Sequence, residues 1–169
     1  VLKNAFAHAK QNNSRVHIVG LLSQGNVHAS IDHLLALIKM AGDEQVGERL
    51  DLHLFSDGKD SPPQSVLSLL DHIPNVGTLL ASLTGREFGM DRDRHWDRTE
   101  AAYKVLTGQA EQTPDYRAAI AEAYKQNPSD QFLPPMLIQK DKAIKSGDAV
   151  IFLDFREDSV RQLTGAFVL

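Results

Sequence analysis

Short apolar runs rich in β-branched residues, each ending in or beside a compact polar block, alternate with helical runs along this chain, and that alternation limits its fold most. The strand-like runs are residues 15–22, 50–55, 76–83, 136–138 and 149–155. Helical spacing of apolar residues occupies 2–11, 29–41, 91–106, 115–124 and 157–166. A further helix is expected after Pro62-Pro63, since proline is tolerated in a first turn, with Val66, Leu67 and Leu70 on its apolar face. Strands that alternate with helices imply right-handed βαβ units. The expected fold class is therefore α/β, three layers, with a mainly parallel sheet covered by helices on both faces.

In such a sheet the loops leaving the carboxyl ends of the strands converge on one crevice. The polar blocks are those loops. They read Ser23-Gln24-Gly25-Asn26-Val27-His28, Asp57-Gly58-Lys59-Asp60-Ser61-Pro62-Pro63, Thr84-Gly85-Arg86, Met90-Asp91-Arg92-Asp93-Arg94 and Asp154-Phe155-Arg156. If they meet, one imidazole, one carboxylate and several cations share a pocket.

Composition narrows the partners. Formal net charge is −4, from 18 Lys and Arg against 22 Asp and Glu, so an anion site must be a local concentration of cations. A general nucleic-acid or anionic-membrane binder would be basic. Apolar residues make up 42% of 169 positions, enough for a core, and there is no cysteine for disulfide or thiolate chemistry. The longest apolar runs are far too short to span a bilayer. The chain has no Met at position 1 and stops on Ala166-Phe167-Val168-Leu169, which reads as a piece cut from a longer chain.

Each block also has a plainer reading. His28 fits a cap or a surface histidine at a helix entry as well as a group that meets a phosphate or hydroxyl. The other six histidines have weaker claims; His17 and His53 lie within strands, His33 within a helix and His95 beside Trp96. Asp57-Gly58 and Pro62-Pro63 are ordinary turn and helix-opening pairs. Asp60, at a strand end near cations, is placed to take a proton from a hydroxyl. The charges of residues 86–98 suit a salt-bridged helix surface. Arg86 escapes that reading best, because Gly85 marks a close backbone approach and Arg grips carboxylate or phosphate with two prongs. Arg156 either snorkels to solvent or points into the crevice, and Arg161 covers the same face or pairs with Asp158. No metal-ligand spacing, phosphate-binding Gly-rich loop or dinucleotide fingerprint is present.

In order and spacing these stretches resemble the cofactor-independent (2,3-bisphosphoglycerate-independent) phosphoglycerate mutases. The resemblance rests on residues 20–28, 57–63, Gly85-Arg86, Met90-Asp91-Arg92-Asp93, Trp96-Asp97-Arg98, residues 147–152, Phe155-Arg156 and Arg161-Gln162-Leu163-Thr164. It implies a two-domain isomerase of glycolysis and gluconeogenesis. A phosphatase-like domain, made from both ends of the whole chain, would carry a transiently phosphorylated serine and two divalent metals, manganese or magnesium. Residues 1–169 would be the inserted phosphotransferase domain, with no metal of its own, no mutase activity alone, and its two ends close together.

The resemblance also implies roles. His28 would contact the phosphoryl group or substrate, Asp60 would act as general acid or base on the C2 hydroxyl, and Lys59, Arg86, Arg92 and Arg156 would bind 3-phosphoglycerate and 2-phosphoglycerate. Lys59 and Ser159 stand where the family usually has Arg, Asn26 where it has Gly, and Ala29-Ser30 where it has Ser-His. The remaining expectations are a cytoplasmic monomer whose partner is the phosphatase-like domain, with no nucleic acid and no membrane. Two alternatives stay open: a non-catalytic or divergent domain binding another phosphorylated carboxylic acid, or an ordinary α/β domain whose polar loops are only turns.

Overall fold

The computed structural model describes residues 1–168. Its five strands are β1 (Val16–Leu22), β2 (Leu50–Ser56), β3 (Leu80–Gly85), β4 (Met136–Leu137) and β5 (Ala149–Leu153), in the order β4-β3-β2-β1-β5. The pairs β3-β2, β2-β1 and β1-β5 are parallel, and only β4 runs antiparallel, against β3. The α/β class and the mainly parallel sheet are as the alternation of elements predicts.

The helices are α1 (Leu2–Asn12), α2 (Ile31–Asp43), α3 (Val66–Asp71), α4 (Val76–Leu79), α5 (Arg86–Gly89), α6 (Trp96–Leu106), α7 (Tyr116–Gln126) and α8 (Arg161–Val168). Alternate strand residues feed two cores. Val16, Ile18, Leu50, Leu52 and Leu54 pack with Phe6 of α1, Leu34 of α2, Leu70 of α3 and Ile120 of α7. Val19, Leu21 and Phe55 pack on the other face with Ala102 and Leu106 of α6 and Leu163 of α8. This is the three-layer arrangement. Gly20 lets β5 come close, because a Cβ there would stand 2.3 Å from the Leu153 carbonyl oxygen.

Four expected elements are corrected. Residues 76–79 are helix, not strand. Asn75 turns the chain through a left-handed φ of 55°, and β3 begins only where Leu80 meets Leu52 of β2. Pro62-Pro63 do not open a helix; α3 starts at Val66, because the buried Asp130 carboxylate accepts the Ser65 and Val66 amides at 2.8 and 2.9 Å. Likewise α6 starts at Trp96, not at Asp91. Asp91 is committed to the His95 amide at 2.9 Å, and Arg94 has φ 66°. At the end, residues 157–159 form a 3-10 turn before α8. The expected closeness of residues 1 and 169 involves Leu169, outside the described residues.

The second face is polar near the amino ends of the strands. His17 Nδ1 lies 3.1 Å from His53 Nε2, and His53 Nδ1 lies 2.8 Å from Ser82 Oγ. Both imidazoles are fully buried. Burial lowers the pKa of His17, opposed mainly by Asp148, and takes that of His53 well below the ordinary value, with His17 adding to the effect. The sign follows: a group whose folded pKa is lowered leaves the unfolded chain binding more protons, so stability falls as pH drops below the unfolded value near 6.5. Two such histidines predict a loss of at most about 3 kcal/mol between pH 7.5 and 5.5, the limit if both stay neutral when folded, read from urea unfolding of this chain. A flat stability over that interval would contradict the buried neutral pair.

Candidate functional site

The carboxyl ends of β1, β2 and β3 and the loop after β5 meet at one edge. Between them lies a polar cavity of about 130 Å³ lined by His28, Lys59, Arg86, Arg92, Arg98 and Ser159, with Glu87, Asp91, Asp93, Met90 and Gln131 completing the wall. Residues far apart in sequence are therefore neighbours here, as expected if the polar blocks converge.

The centre of the arrangement is Asp57. Its side chain is fully buried, and Oδ1 receives Arg86 at 2.5 Å and the amides of Lys59 and Asp60 at 3.2 and 3.0 Å. Oδ2 accepts the Ser23 hydroxyl at 2.6 Å. Burial pushes this carboxyl up, but the bonds from Ser23, the Asp60 amide and Arg86 outweigh it and hold the pKa below the usual range. Asp57 thus ties the first, second and third blocks together. Gly25 permits the first two to touch, since a Cβ there would lie 2.5 Å from the Asp60 carbonyl oxygen. Arg86 reaches Asp60 Oδ2 at 2.9 Å with the same nitrogen that meets Asp57.

His28 is buried at the other side of the cavity, just ahead of the Ser30 cap of α2. Its carbonyl accepts the Phe155 amide at 2.6 Å, which joins block one to block five. Ser159 Oγ lies 3.1 Å from its Nδ1.

Arg156 departs from the expected picture. It does not line the cavity, and its side chain is half exposed. It lies on the rim, where Asp158 accepts Arg92 at 2.6 Å and Arg156 at 3.3 Å. Asp158 therefore occupies two of the expected anion ligands. Exposed pairs of this kind are weak, so Asp158→Asn is expected to tighten phosphate binding only a few-fold, measured by titration. Arg161 pairs with Glu157, not with Asp158. Arg98 pairs with Glu87 at 2.5 Å, so much of the charge in residues 86–98 is internally balanced.

Sequence reasoning read Asp57 as a turn residue and did not single out Glu87, Arg98 or Gln131. The signal for Asp57 was weak, because a buried acid and a turn acid look alike until the serine and arginine beside it are known. Among the described residues no three His, Asp or Glu side chains are grouped as a metal ion requires. The resemblance assigns the two divalent metals to the phosphatase-like domain and not to these residues.

The sequence model of the family described as the BPG-independent PGAM N-terminus matches residues 1–169. The chain belongs to that family. It is 42% identical over 176 residues to 2,3-bisphosphoglycerate-independent phosphoglycerate mutase 1 of Methanosarcina barkeri, covering 97% of this chain and 34% of that protein. It is 44% identical over 180 residues to the mutase of Chloroflexus aurantiacus, covering 99% and 33%. Among solved structures, phosphoglycerate mutase of Leishmania mexicana superposes with a TM-score of 0.87 at 27% identity, covering 98% of this chain and 33% of that one. The chain spans about a third of the length of these relatives.

Among the described residues, no helix is long and apolar enough to cross a membrane.

Proposed function

We propose that residues 1–169 are the substrate-binding phosphotransferase domain of a cofactor-independent phosphoglycerate mutase. The supporting observation is the small polar cavity with Lys59, Arg86, Arg92 and His28 on its wall, in a chain of this family. Its volume of about 130 Å³ suits a small phosphorylated acid.

In this reading the cations hold the phosphate and carboxylate of 3-phosphoglycerate or 2-phosphoglycerate. Preorganised charge of this kind stabilises a transferring phosphoryl group without reorganisation. Asp60 takes the proton from the substrate hydroxyl and returns it; it stands beside the cavity wall, bonded to the wall residue Arg86 at 2.9 Å. The phosphoryl group is carried by a serine of a phosphatase-like domain elsewhere in the whole protein, where two divalent metals, manganese or magnesium, supply Lewis acidity. That domain is the partner, and the whole protein acts as a cytoplasmic monomer.

The full-length protein is expected to interconvert the two phosphoglycerates without added 2,3-bisphosphoglycerate, followed by coupling to enolase. This chain alone is expected to be inactive. An inert full-length protein, assayed beside an active relative, would refute the reading.

A second reading is favoured by Ser159, a short hydroxyl on the cavity wall where family members usually carry Arg. One charge-assisted hydrogen bond is worth about 1.5–3 kcal/mol, so its loss weakens a phosphoglycerate by roughly tenfold or more. A domain tuned to another phosphorylated carboxylic acid would bind that acid more tightly than 3-phosphoglycerate in a calorimetric panel.

A further inference from the structure

Asp154 follows β5 directly, and its side chain is wholly enclosed. Its Oδ1 accepts the Arg156 amide at 2.7 Å and lies 3.5 Å from Nδ1 of His28. Its Oδ2 is buried with no hydrogen-bond partner. A buried carboxylate left without compensation is strongly unfavourable, and the His28 ring is the ionisable group set against this one. The contact is held in place by the main chain, because the Phe155 amide donates to the His28 carbonyl at 2.6 Å.

We propose that Asp154 is a positioning residue that keeps the hydrogen on Nδ1 of His28 and so presents Nε2, with its lone pair, to the anion cavity. The physical reason is local. If Nδ1 carried a lone pair, it would face a carboxylate oxygen at 3.5 Å, lone pair against lone pair. A hydrogen on Nδ1 turns that repulsion into attraction. Ser159 Oγ, 3.1 Å from the same nitrogen, is then the nearer acceptor, while Asp154 acts through its charge. The partner on one ring nitrogen sets what the other can do. Since Nδ1 is occupied on the protein side and His28 lines the cavity, Nε2 is the atom left for a ligand.

An acceptor at that point selects a ligand that offers a proton. It favours a hydroxyl, or a phosphoryl oxygen that still carries hydrogen, over a fully ionised oxygen. What Nε2 meets rests on the reading that the cavity receives a phosphorylated hydroxy acid. The tautomer itself does not.

The test is long-range proton–nitrogen correlation NMR of the imidazoles of this chain at about pH 8, above the ordinary imidazole range. His28→Gln identifies the His28 signals by their loss. Wild type is expected to show a protonated-type Nδ1 and a bare-type Nε2. Asp154→Ala is expected to move the hydrogen largely to Nε2, whereas Asp154→Asn keeps part of the wild-type pattern, because its amide oxygen still accepts. Ser159→Ala is expected to keep the hydrogen on Nδ1.

The proposal is overturned if wild-type His28 carries its hydrogen on Nε2. It is equally overturned if Ser159→Ala, and not Asp154→Ala, moves that hydrogen. Should Asp154→Ala fail to fold, the wild-type, Asp154→Asn and Ser159→Ala spectra still decide. An Nδ1–H tautomer in a protein whose full-length form lacks mutase activity would leave this assignment standing and remove only the enzymatic reading.

Discussion

Asp57→Ala is expected to destabilise the chain by about 3–5 kcal/mol, the cost of breaking a buried ion pair from one side. The Asp57 side chain has no exposure, and its loss removes one partner each from the Arg86 guanidinium and the Ser23 hydroxyl and the side-chain acceptor of two backbone amides. Arg86 keeps Asp60 as a partner, so the guanidinium is expected to swing toward Asp60 and out of the cavity wall. Asp57→Asn preserves the shape and the Ser23 bond but removes the charge, so its loss is smaller. Urea unfolding of wild type and both variants measures the order. A loss below about 1 kcal/mol for Asp57→Ala would show that the three loops are held together by something else.

Asp60→Asn is expected to behave in the opposite way. Stability should change little, because Arg86 stays held by Asp57 at 2.5 Å. In the full-length protein, kcat should fall roughly 10²–10⁴-fold, the range for removing a positioned acid or base, with KM changed only a few-fold. Arg86→Ala should raise KM as well as lower kcat, since it removes binding and not only proton transfer. An Asp60→Asn enzyme within tenfold of wild-type kcat would take the proton-transfer role away from Asp60. If KM alone moved, Asp60 would be a binding residue.

These two neighbouring acids show where reading residues in order runs out. Asp57-Gly58 has the composition of a turn, and Gly58 does adopt the left-handed φ of 68° that such a turn uses. Nothing local indicates that Asp57 is buried. Its role depends on Ser23, 34 positions earlier, and on Arg86, 29 positions later. Asp60 was singled out because the strand pattern placed it at a carboxyl end, where ligands collect in parallel sheets, and it stands beside Arg86 just off the cavity wall. Arg156 had the same placement. Yet it lies on the rim beside Asp158, because a strand end fixes where a side chain begins and not which way a long, half-exposed one turns.

The elements show the same division. Residues 76–79 carry a Val and a Leu suited to a strand but form helix α4, because strand propensity counts only where a neighbouring strand offers hydrogen bonds, and β2 first meets β3 at Leu80. The prolines at 62 and 63 gave the right neighbourhood for α3 but the wrong first residue, since the cap comes from Asp130, over sixty positions away.

By itself, the sequence determined the α/β class, the helices and strands as periodic runs, and the loops that had to form a site. It did so because periodicity and turn chemistry are local, and because a parallel sheet gathers its carboxyl-end loops whatever their sequence. Only the tertiary structure decided that Asp57 anchors the cavity, that Asp158 sits between two arginines, and that Asp154 faces His28. Those are contacts between charged groups remote in sequence, and burial, which sets their strength, is a property of the packed molecule and not of any segment of the chain.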